Sequence, residues 1–503
     1  THQLLELYNN ICTALDRREE YCMVFCDVSK AFDRVWHRGL VHKLASYGIG
    51  EHLLKWLECY ISGRNQLVFV NGSLSKSATL AAGVPQGSVL GPFLFIVYVN
   101  DIADELDCAA RLFADDTSMG FSSVNHRLMQ DTLNRNLQTL SSWAKRWLIT
   151  YNPSKTEVIL FTLKNNSALL NLEFENQHLK IANTHKHLGV TFSSDCKWKI
   201  HIDNIVKRTS VMVASMRKLK YMLNRDTLNK IYLVFIRPHL EYACELWDGC
   251  SLELTDKVEK VQFEAARIVT GLPKYASRES LLNETGWQWL KDRRTFRKLS
   301  LFYNIYNGNA PSYLCDLMPQ SVEERTSYNL RNVHDISLSH SRTTLYSQSF
   351  FPSTSRLWNN LPLHIRESPS LKTFKTGTTP RKSNVPSYFS FGNRKLNIIH
   401  TQLRYANSKL NGDLHKVGLV DSPECNCNHN YEDTHHYFLN CILYDNIRYE
   451  MFQKINEICN SRELPNLHLL LHGNADLPSR ENIEIFKTVH KFIVKSKRFI
   501  DYI

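Results

Sequence analysis

Two adjacent carboxylates, Asp115 and Asp116, sit between two apolar runs in RLFADDTSM, residues 111–119. Leu112, Phe113 and Ala114 precede them, and Met119 restarts the apolar pattern after Thr117 and Ser118. The pattern predicts a strand, a tight turn carrying two acids, and a second strand. Like charges side by side at the end of a buried strand repel each other and resist desolvation. They need a cation, or one of them must hold a proton. The plain alternative is an Asp-rich turn, because Asp suits turns on its own account. The surrounding segments decide between the two.

One of these segments is YCMVFC, residues 21–26, a continuous apolar run that ends on Asp27. It predicts a buried strand delivering one carboxylate at its C-terminal end. Phe32, Val35 and Trp36 follow on one side of a turn or short helix. An amphipathic helix pair is expected over residues 40–61, broken at Tyr47-Gly48-Ile49-Gly50. Strands are expected from Gln66 to Val70 and from Ala78 to Leu80, around the Asn71-Gly72 turn. Next comes Gly83-Val84-Pro85-Gln86-Gly87-Ser88, a loop whose glycines let backbone approach a ligand closely, or a plain entry to the apolar helix behind it. Two carboxylate-bearing strand ends side by side can hold two Mg²⁺ ions about 3.5–4 Å apart. Such ions lower the pKa of an attacking hydroxyl and stabilise a leaving pyrophosphate. Mg²⁺ takes hard oxygen ligands and keeps several waters, so few carboxylates suffice.

In chain order, DVSKAFDRV, GVPQGSVLGP, FADD, NPSKTEVILF and HLGVTF resemble the palm of a reverse transcriptase, of the kind in non-LTR (LINE-type) retrotransposons such as jockey and CR1. The resemblance covers residues 1–195. Beyond them, FIRPHLEYACELWDG and VQFEAARIVTG are similar to the thumb and the region after it. It implies an α+β fold: a polymerase right-hand palm, an antiparallel sheet with packed helices, with incomplete fingers, then a helical thumb and a mixed C-terminal region. The implied division is a palm with partial fingers over 1–195, a helical thumb over 196–272, a helical and polar connecting region over 273–372, and a C-terminal domain over 394–503. The implied activity is RNA-directed DNA polymerisation, joining dNTPs to a primer 3′-hydroxyl on an RNA template. Non-LTR elements use a nicked chromosomal end as primer, which points to the nucleus, with the cytoplasm as the other compartment.

The resemblance also implies roles. Asp27 and Asp115 match the two metal-binding catalytic aspartates, and Asp116 matches the third acid. Phe32 matches the aromatic that crowds a 2′-hydroxyl; on its residue type alone it reads as a core side chain. Pro85, Gln86, Gly87 and Ser88 match the loop lying against the incoming nucleotide and template. Lys155 matches a lysine that protonates pyrophosphate, and His187, Leu188 and Gly189 fall in the primer-grip strand. The chain opens on Thr1 inside a helical pattern, so an N-terminal truncation that removes fingers and endonuclease is expected. A remnant that binds nucleic acid without polymerising is the alternative. An RNA-dependent RNA polymerase is a third reading, against which Phe32 and the PQGS loop argue.

Charge and cysteines bear on partners and compartment. A net charge of +12 suits a polyanionic partner, though weakly on its own. Basic residues recur from Lys197 to Arg237 and again in Lys291, Arg293, Arg294, Arg297 and Lys298; each set is a solvated helix face or a nucleic-acid surface. Thirteen cysteines, mostly scattered in apolar runs, argue for free thiols in a reducing compartment rather than secretion. The longest apolar run, Val89 to Val99, is too short for a membrane span, which needs about 20 residues. Near the C-terminus, Cys425, Cys427, His435, His436 and Cys441 have the residue types of a Cys₃His zinc site, with a tight first gap. The HYFLNC ending resembles the C-terminal regions of the same elements and favours His436. The other reading is scattered thiols.

Overall fold

The strand Glu20–Cys26 (β1) is buried along its whole length. Its neighbours explain why. It pairs antiparallel with Asp116–Ser123 (β3) on one edge and with Glu157–Phe161 (β4) on the other. Ala109–Phe113 (β2) and Lys180–Ile181 (β5) complete a five-stranded sheet in the order β5-β4-β1-β3-β2, parallel only between β5 and β4. Cys22, Val24 and Cys26 face a core built from His126–Arg146 (α5), Leu90–Val99 (α4) and His37–Ser46 (α2). In α5 the buried residues Met129, Leu133, Leu137, Leu140 and Trp143 recur every three or four positions, the stripe an amphipathic helix presents to a sheet. Asn125 caps it, its Oδ1 accepting from the Arg127 and Leu128 amides. On the other face of β1, Phe25 stacks on His185, and His2–Asp16 (α1) packs on the strand. The helix Glu51–Ile61 (α3) completes the expected pair.

The computed structural model describes residues 1–164, 170–325, 334–338, 340–378 and 385–500. The chain forms two compact units, Thr1–His201 with Ile305–Asn360, and Ile202–Asn304 with Leu361–Ile503. Thus residues 273–372 are shared between the units, and residues 373–393, left between the expected connecting region and C-terminal domain, fall within the second; of these, 379–384 lie outside the described residues. No helix among the described residues is long and apolar enough to cross a membrane.

Three local expectations are corrected. The Asn71-Gly72 turn joins only Phe69–Val70 to Ser73–Leu74, while Asn65–Gln66 pairs with Ala78–Thr79 as a second, outer hairpin. The single strand expected over 185–192 is a hairpin, Thr184–His187 (β6) with Val190–Ser193 (β7). Leu188 and Gly189 form its turn at φ 45° and 82°, the left-handed pair that a two-residue hairpin requires. The basic run of Leu290–Tyr306 (α8) is not one solvated face: Lys291 is exposed, but the other four cations pair with acids. Arg293 pairs with Glu241, Arg294 with Asp248 at 2.9 Å, Arg297 with Glu245 at 3.0 Å and Lys298 with Asp248 at 3.2 Å. Arg294 is fully buried.

The second unit holds two arginines around one buried acid. Glu284 is completely buried between Arg225 and Arg404, the latter 2.8 Å away. Burial pushes its carboxyl up, but Arg404 and Arg225 more than offset this and hold it below the usual range. Removing one partner from such a set leaves uncompensated buried charge. Glu284→Ala is therefore expected to lower the unfolding free energy by about 3–5 kcal/mol, read from urea unfolding. Because the folded pKa is depressed, the contribution is present at neutral pH and is lost as pH falls through the folded value. The variant and the parent should converge in acid, and a gap independent of pH would contradict the pairing.

Candidate active site and metal centre

Strand register brings the acids together. The β1–β3 ladder matches Cys26 with Thr117, so the next position sets Asp27 opposite Asp116. In β2–β3, Phe113 pairs with Asp116, leaving Ala114 and Asp115 as a two-residue turn with Ala114 at φ 52°. Asp115 and Asp116 are exposed and Asp27 is half-buried, so the trio lies at an open end of the sheet rather than in its core. Burial and the neighbouring Asp115 and Asp27 carboxylates push the Asp116 carboxyl up, while His185 pulls it back. Carboxylate oxygens are the hard donors that Mg²⁺ takes, but among the described residues the group whose ligand atoms converge to metal-holding distance is Cys425, Cys427, His436 and Cys441, not this trio.

Cation-bearing side chains border the trio. Lys155 Nζ lies 3.7 Å from Asp27 Oδ2. It is carried there by the 152–156 turn, where the Asn152 amide donates to Asp27 O at 2.8 Å. His185 stacks on Phe25 with ring centroids 4.0 Å apart and approaches Glu157 at 2.6 Å. His187 is buried beside it, its pKa pushed down to about 4 by burial, and the Leu188-Gly189 turn follows. His185 was not singled out from sequence; its place two residues before His187, on the same face of a strand, was the available signal.

The 83–88 loop is tied by backbone to the segment behind Asp27. The Gly83 amide donates to Val35 O and the Val84 amide to Phe32 O, both at 2.8 Å. Gln86 Nε2 donates to Asp33 Oδ1 at 2.8 Å, so Asp33 orients the glutamine, a partner that sequence reasoning missed. Ser88 Oγ accepts from the Gly91 amide and donates to Pro85 O, closing the loop onto α4. Phe32 is half-buried with its ring 4.8 Å from that of Phe95, so it combines a core contact with an accessible edge. Gly83 has φ 96°, and a Cβ there would stand 2.9 Å from Asp33 O. Gly87, also at positive φ, faces open space.

In the second unit, Cys425, Cys427, His436 and Cys441 place their ligand atoms within 4.8 Å of one another. Cys425 Sγ and Cys441 Sγ are 3.7 Å apart, and Cys427 Sγ is 3.2 Å from His436 Nε2. A tetrahedron with Zn–S near 2.3 Å has edges of roughly 3.8 Å, so the cluster has the size of one zinc shell. His435 is exposed and turned away, whereas His436 is buried and its amide donates to Asp433 Oδ1 at 2.7 Å. His436 Nδ1 is buried and has no hydrogen-bond partner among the described residues.

Residues 2–192 match the family model described as reverse transcriptase (RNA-dependent DNA polymerase). The chain is similar to a probable RNA-directed DNA polymerase from transposon BS of Drosophila melanogaster, 31% identical over 294 residues, covering 54% of this chain and 31% of that protein. It is similar to its counterpart from transposon X-element of the same organism, 31% identical over 277 residues, covering 54% of this chain and 30% of that protein. An RNA-directed DNA polymerase from mobile element jockey of Drosophila melanogaster is 28% identical over 284 residues, with 54% of this chain and 31% of that protein covered. The chain thus spans less than a third of the length of these relatives. The match to the reverse-transcriptase family model is confined to residues 2–192, and the relatives named here are RNA-directed DNA polymerases of mobile elements.

The loop geometry carries its own check. Gly83→Ala forces a glycine-only conformation and a backbone clash, and should cost about 1–3 kcal/mol. Gly87→Ala meets only the backbone strain. Urea unfolding of both variants should rank Gly83→Ala as the worse; the reverse order would contradict the loop's anchoring.

Proposed function

We propose that the chain is the RNA-directed DNA polymerase of a non-LTR retrotransposon, and that Asp27 and Asp115 hold two Mg²⁺ ions with Asp116 beside them. The observation that carries this is the register that sets Asp27 opposite Asp116, next to the Asp115 turn, inside a reverse-transcriptase domain. The primer 3′-oxygen bonds to the α-phosphorus of a dNTP, the α–β bridging P–O bond breaks, and pyrophosphate leaves. Bound Mg²⁺ supplies Lewis-acid stabilisation of the attacking and leaving oxygens. Lys155, 3.7 Å from Asp27 Oδ2, gives pyrophosphate a proton in this reading. Phe32 crowds the sugar C2′ position and so rejects ribonucleotides. Gln86, oriented by Asp33, contacts the nucleotide, with Pro85, Gly87 and Ser88 shaping the loop against base and template. His187, Leu188 and Gly189 steady the primer end.

The same reading divides the chain into a palm with partial fingers over 1–195, a thumb over 196–272, a connecting region over 273–372 and a C-terminal domain over 394–503. The change of compact unit after His201 supports a palm-to-thumb boundary close to residue 195. In this reading the template is RNA and the primer is the 3′ end of nicked chromosomal DNA, which favours the nucleus over the cytoplasm as the site of the work.

Primer extension on an RNA template, with dNTPs and Mg²⁺, tests the polymerase reading. Asp27→Asn and Asp115→Asn keep one oxygen but lose the charge, and each should cut the rate by at least a hundredfold, about 2.7 kcal/mol of barrier. Asp116→Asn should cost less. Extension that survives Asp115→Asn would refute the metal assignment. RNA binding without extension by the parent chain would favour a remnant that only binds nucleic acid.

We also assign Zn²⁺ to the Cys425, Cys427, His436 and Cys441 cluster, whose edge lengths suit that ion. Elemental analysis of the purified chain should find one zinc per chain. Cys441→Ser should lose it and destabilise the second unit, since binding free energy at such sites is folding free energy. A full zinc complement in Cys441→Ser would overturn the ligand set.

A further inference from the structure

The helix Ser479–Lys495 (α12) buries Ile485, Phe486, Val489, Phe492 and Ile493 in the core that also holds Cys425 and Cys441. Its other side carries Lys487, Lys491 and Lys495, four residues apart and therefore about 6 Å apart along the axis. Between this side and the start of the helix Arg394–Arg404 (α10) lies an open groove of 380 Å³. Phe391, Leu396 and Val494 make its walls mostly apolar, with the three lysines at the rim. That volume is within the roughly 300–1,000 Å³ of small-ligand sites.

His490, 6% exposed, lines the groove, and its hydrogen bonding leaves one atom for a ligand. His400 Nε2 lies 3.0 Å from Leu470 O, a carbonyl that only accepts, so this nitrogen donates. In the neutral ring His400 Nδ1 is then bare and accepts from His490 Nε2 at 3.3 Å. His490 Nδ1 is left with a lone pair and no partner among the described residues. It points past Gly392, where a Cβ would stand 3.4 Å from it. Burial and the nearby Arg404 push the His490 pKa down to about 4, so the ring is neutral at physiological pH.

The rim adds cations. Lys487 pairs with Glu484 at 2.6 Å, with both side chains about half exposed, and Lys495 pairs with Glu450 across an equally open surface. Exposed pairs of this kind exchange readily for another anion. Lys491 has no ion pair among the described residues. Lys487 Nζ also lies 5.1 Å from the Phe391 ring centroid, so an aromatic face and a positive charge meet at one edge of the groove. Apolar walls, an acceptor inside and a row of ammonium groups outside suit a flat heteroaromatic ring with an N–H edge and attached phosphates. An acidic peptide would answer the lysines but not the apolar walls or the acceptor.

We propose that this groove holds an unstacked base of single-stranded nucleic acid, with an N–H on its Watson–Crick edge toward His490 Nδ1 and flanking phosphates along Lys487, Lys491 and Lys495. The proposal takes from the polymerase reading only that the chain works on nucleic acid. It places a contact to the strand in the second unit, outside the acidic site.

The test uses the full chain and a fluorescent hexamer containing 4-thiouridine, which keeps the N3–H of uridine. Photocrosslinks should map to peptides containing Phe391 or His490. Val494→Asp and Lys491→Glu, at exposed positions and with the urea midpoint measured as a folding control, should each weaken hexamer binding at least fivefold and deplete those crosslinks. A hexamer of abasic ribose phosphates should also bind at least fivefold more weakly than the uridine hexamer. Crosslinks confined to other peptides, unchanged affinity in both variants, or an abasic hexamer that binds as well as the uridine one would overturn the proposal. Primer extension measured in parallel separates the two readings. Loss of the groove with extension intact leaves the polymerase standing, and extension that survives Asp115→Asn with the groove's crosslinks intact does the reverse.

Discussion

The register of β1 is the constraint on which the first unit depends. The strand is buried on both faces, so its apolar side chains alone would tolerate a slip by one residue poorly but not prohibitively. The charges at its two ends do not tolerate one. Glu20 is 1% exposed and meets Lys164 at 3.0 Å and the His126 ring, while Asp27 meets Lys155 at the open end. A slip would turn the Asp27 carboxylate toward the face occupied by Cys26 and α5, and would strand Glu20 without its partners. The acids are therefore positioned by the same ladder that builds the core, and Asp27 faces Asp116 because the sheet permits no other alignment.

Charge does different work in the second unit. Its arginines on α8 and around Glu284 are consumed internally, in ion pairs between segments about fifty residues apart or more. That is why a basic helix in the sequence is a poor guide to a nucleic-acid surface. A lysine or arginine announces its charge locally, but its partner is set by tertiary contact. The cations that stay at the surface on α12 are lysines beside apolar walls, whereas the buried pairs use mainly arginine, whose planar fork satisfies carboxylates from several directions.

The contrast shows what could be read along the chain. The apolar run of residues 21–26 and the acids at 115 and 116 were legible because each signal is local. The choice of His436 over His435 was legible only through the HYFLNC ending, and the structure gives its reason, since one ring is buried among the cysteines and the other is exposed. Leu188 was illegible as a turn residue because a leucine at φ 45° carries no sequence mark of its own; only the following glycine hinted at it. Asp33 and His490 were missed for a shared reason. Their chemistry depends on a single hydrogen bond to a side chain 53 or 90 residues away.

The backbone bonds between the 83–88 loop and the Phe32–Val35 segment have a consequence for selectivity. If Phe32 crowds a nucleotide sugar and Gln86 touches the same nucleotide, the gap between them is set by two amide-to-carbonyl bonds at Gly83 and Val84, not by flexible side chains. A position held by backbone shifts little when a nearby side chain is replaced, so discrimination at Phe32 should follow the size of that one ring. Gly83 makes this rigidity possible, because any Cβ there would push the loop off the carbonyls of Phe32 and Asp33. The loop glycine, rather than the aromatic, is then the residue that turns a generic acidic sheet end into a site with a defined width.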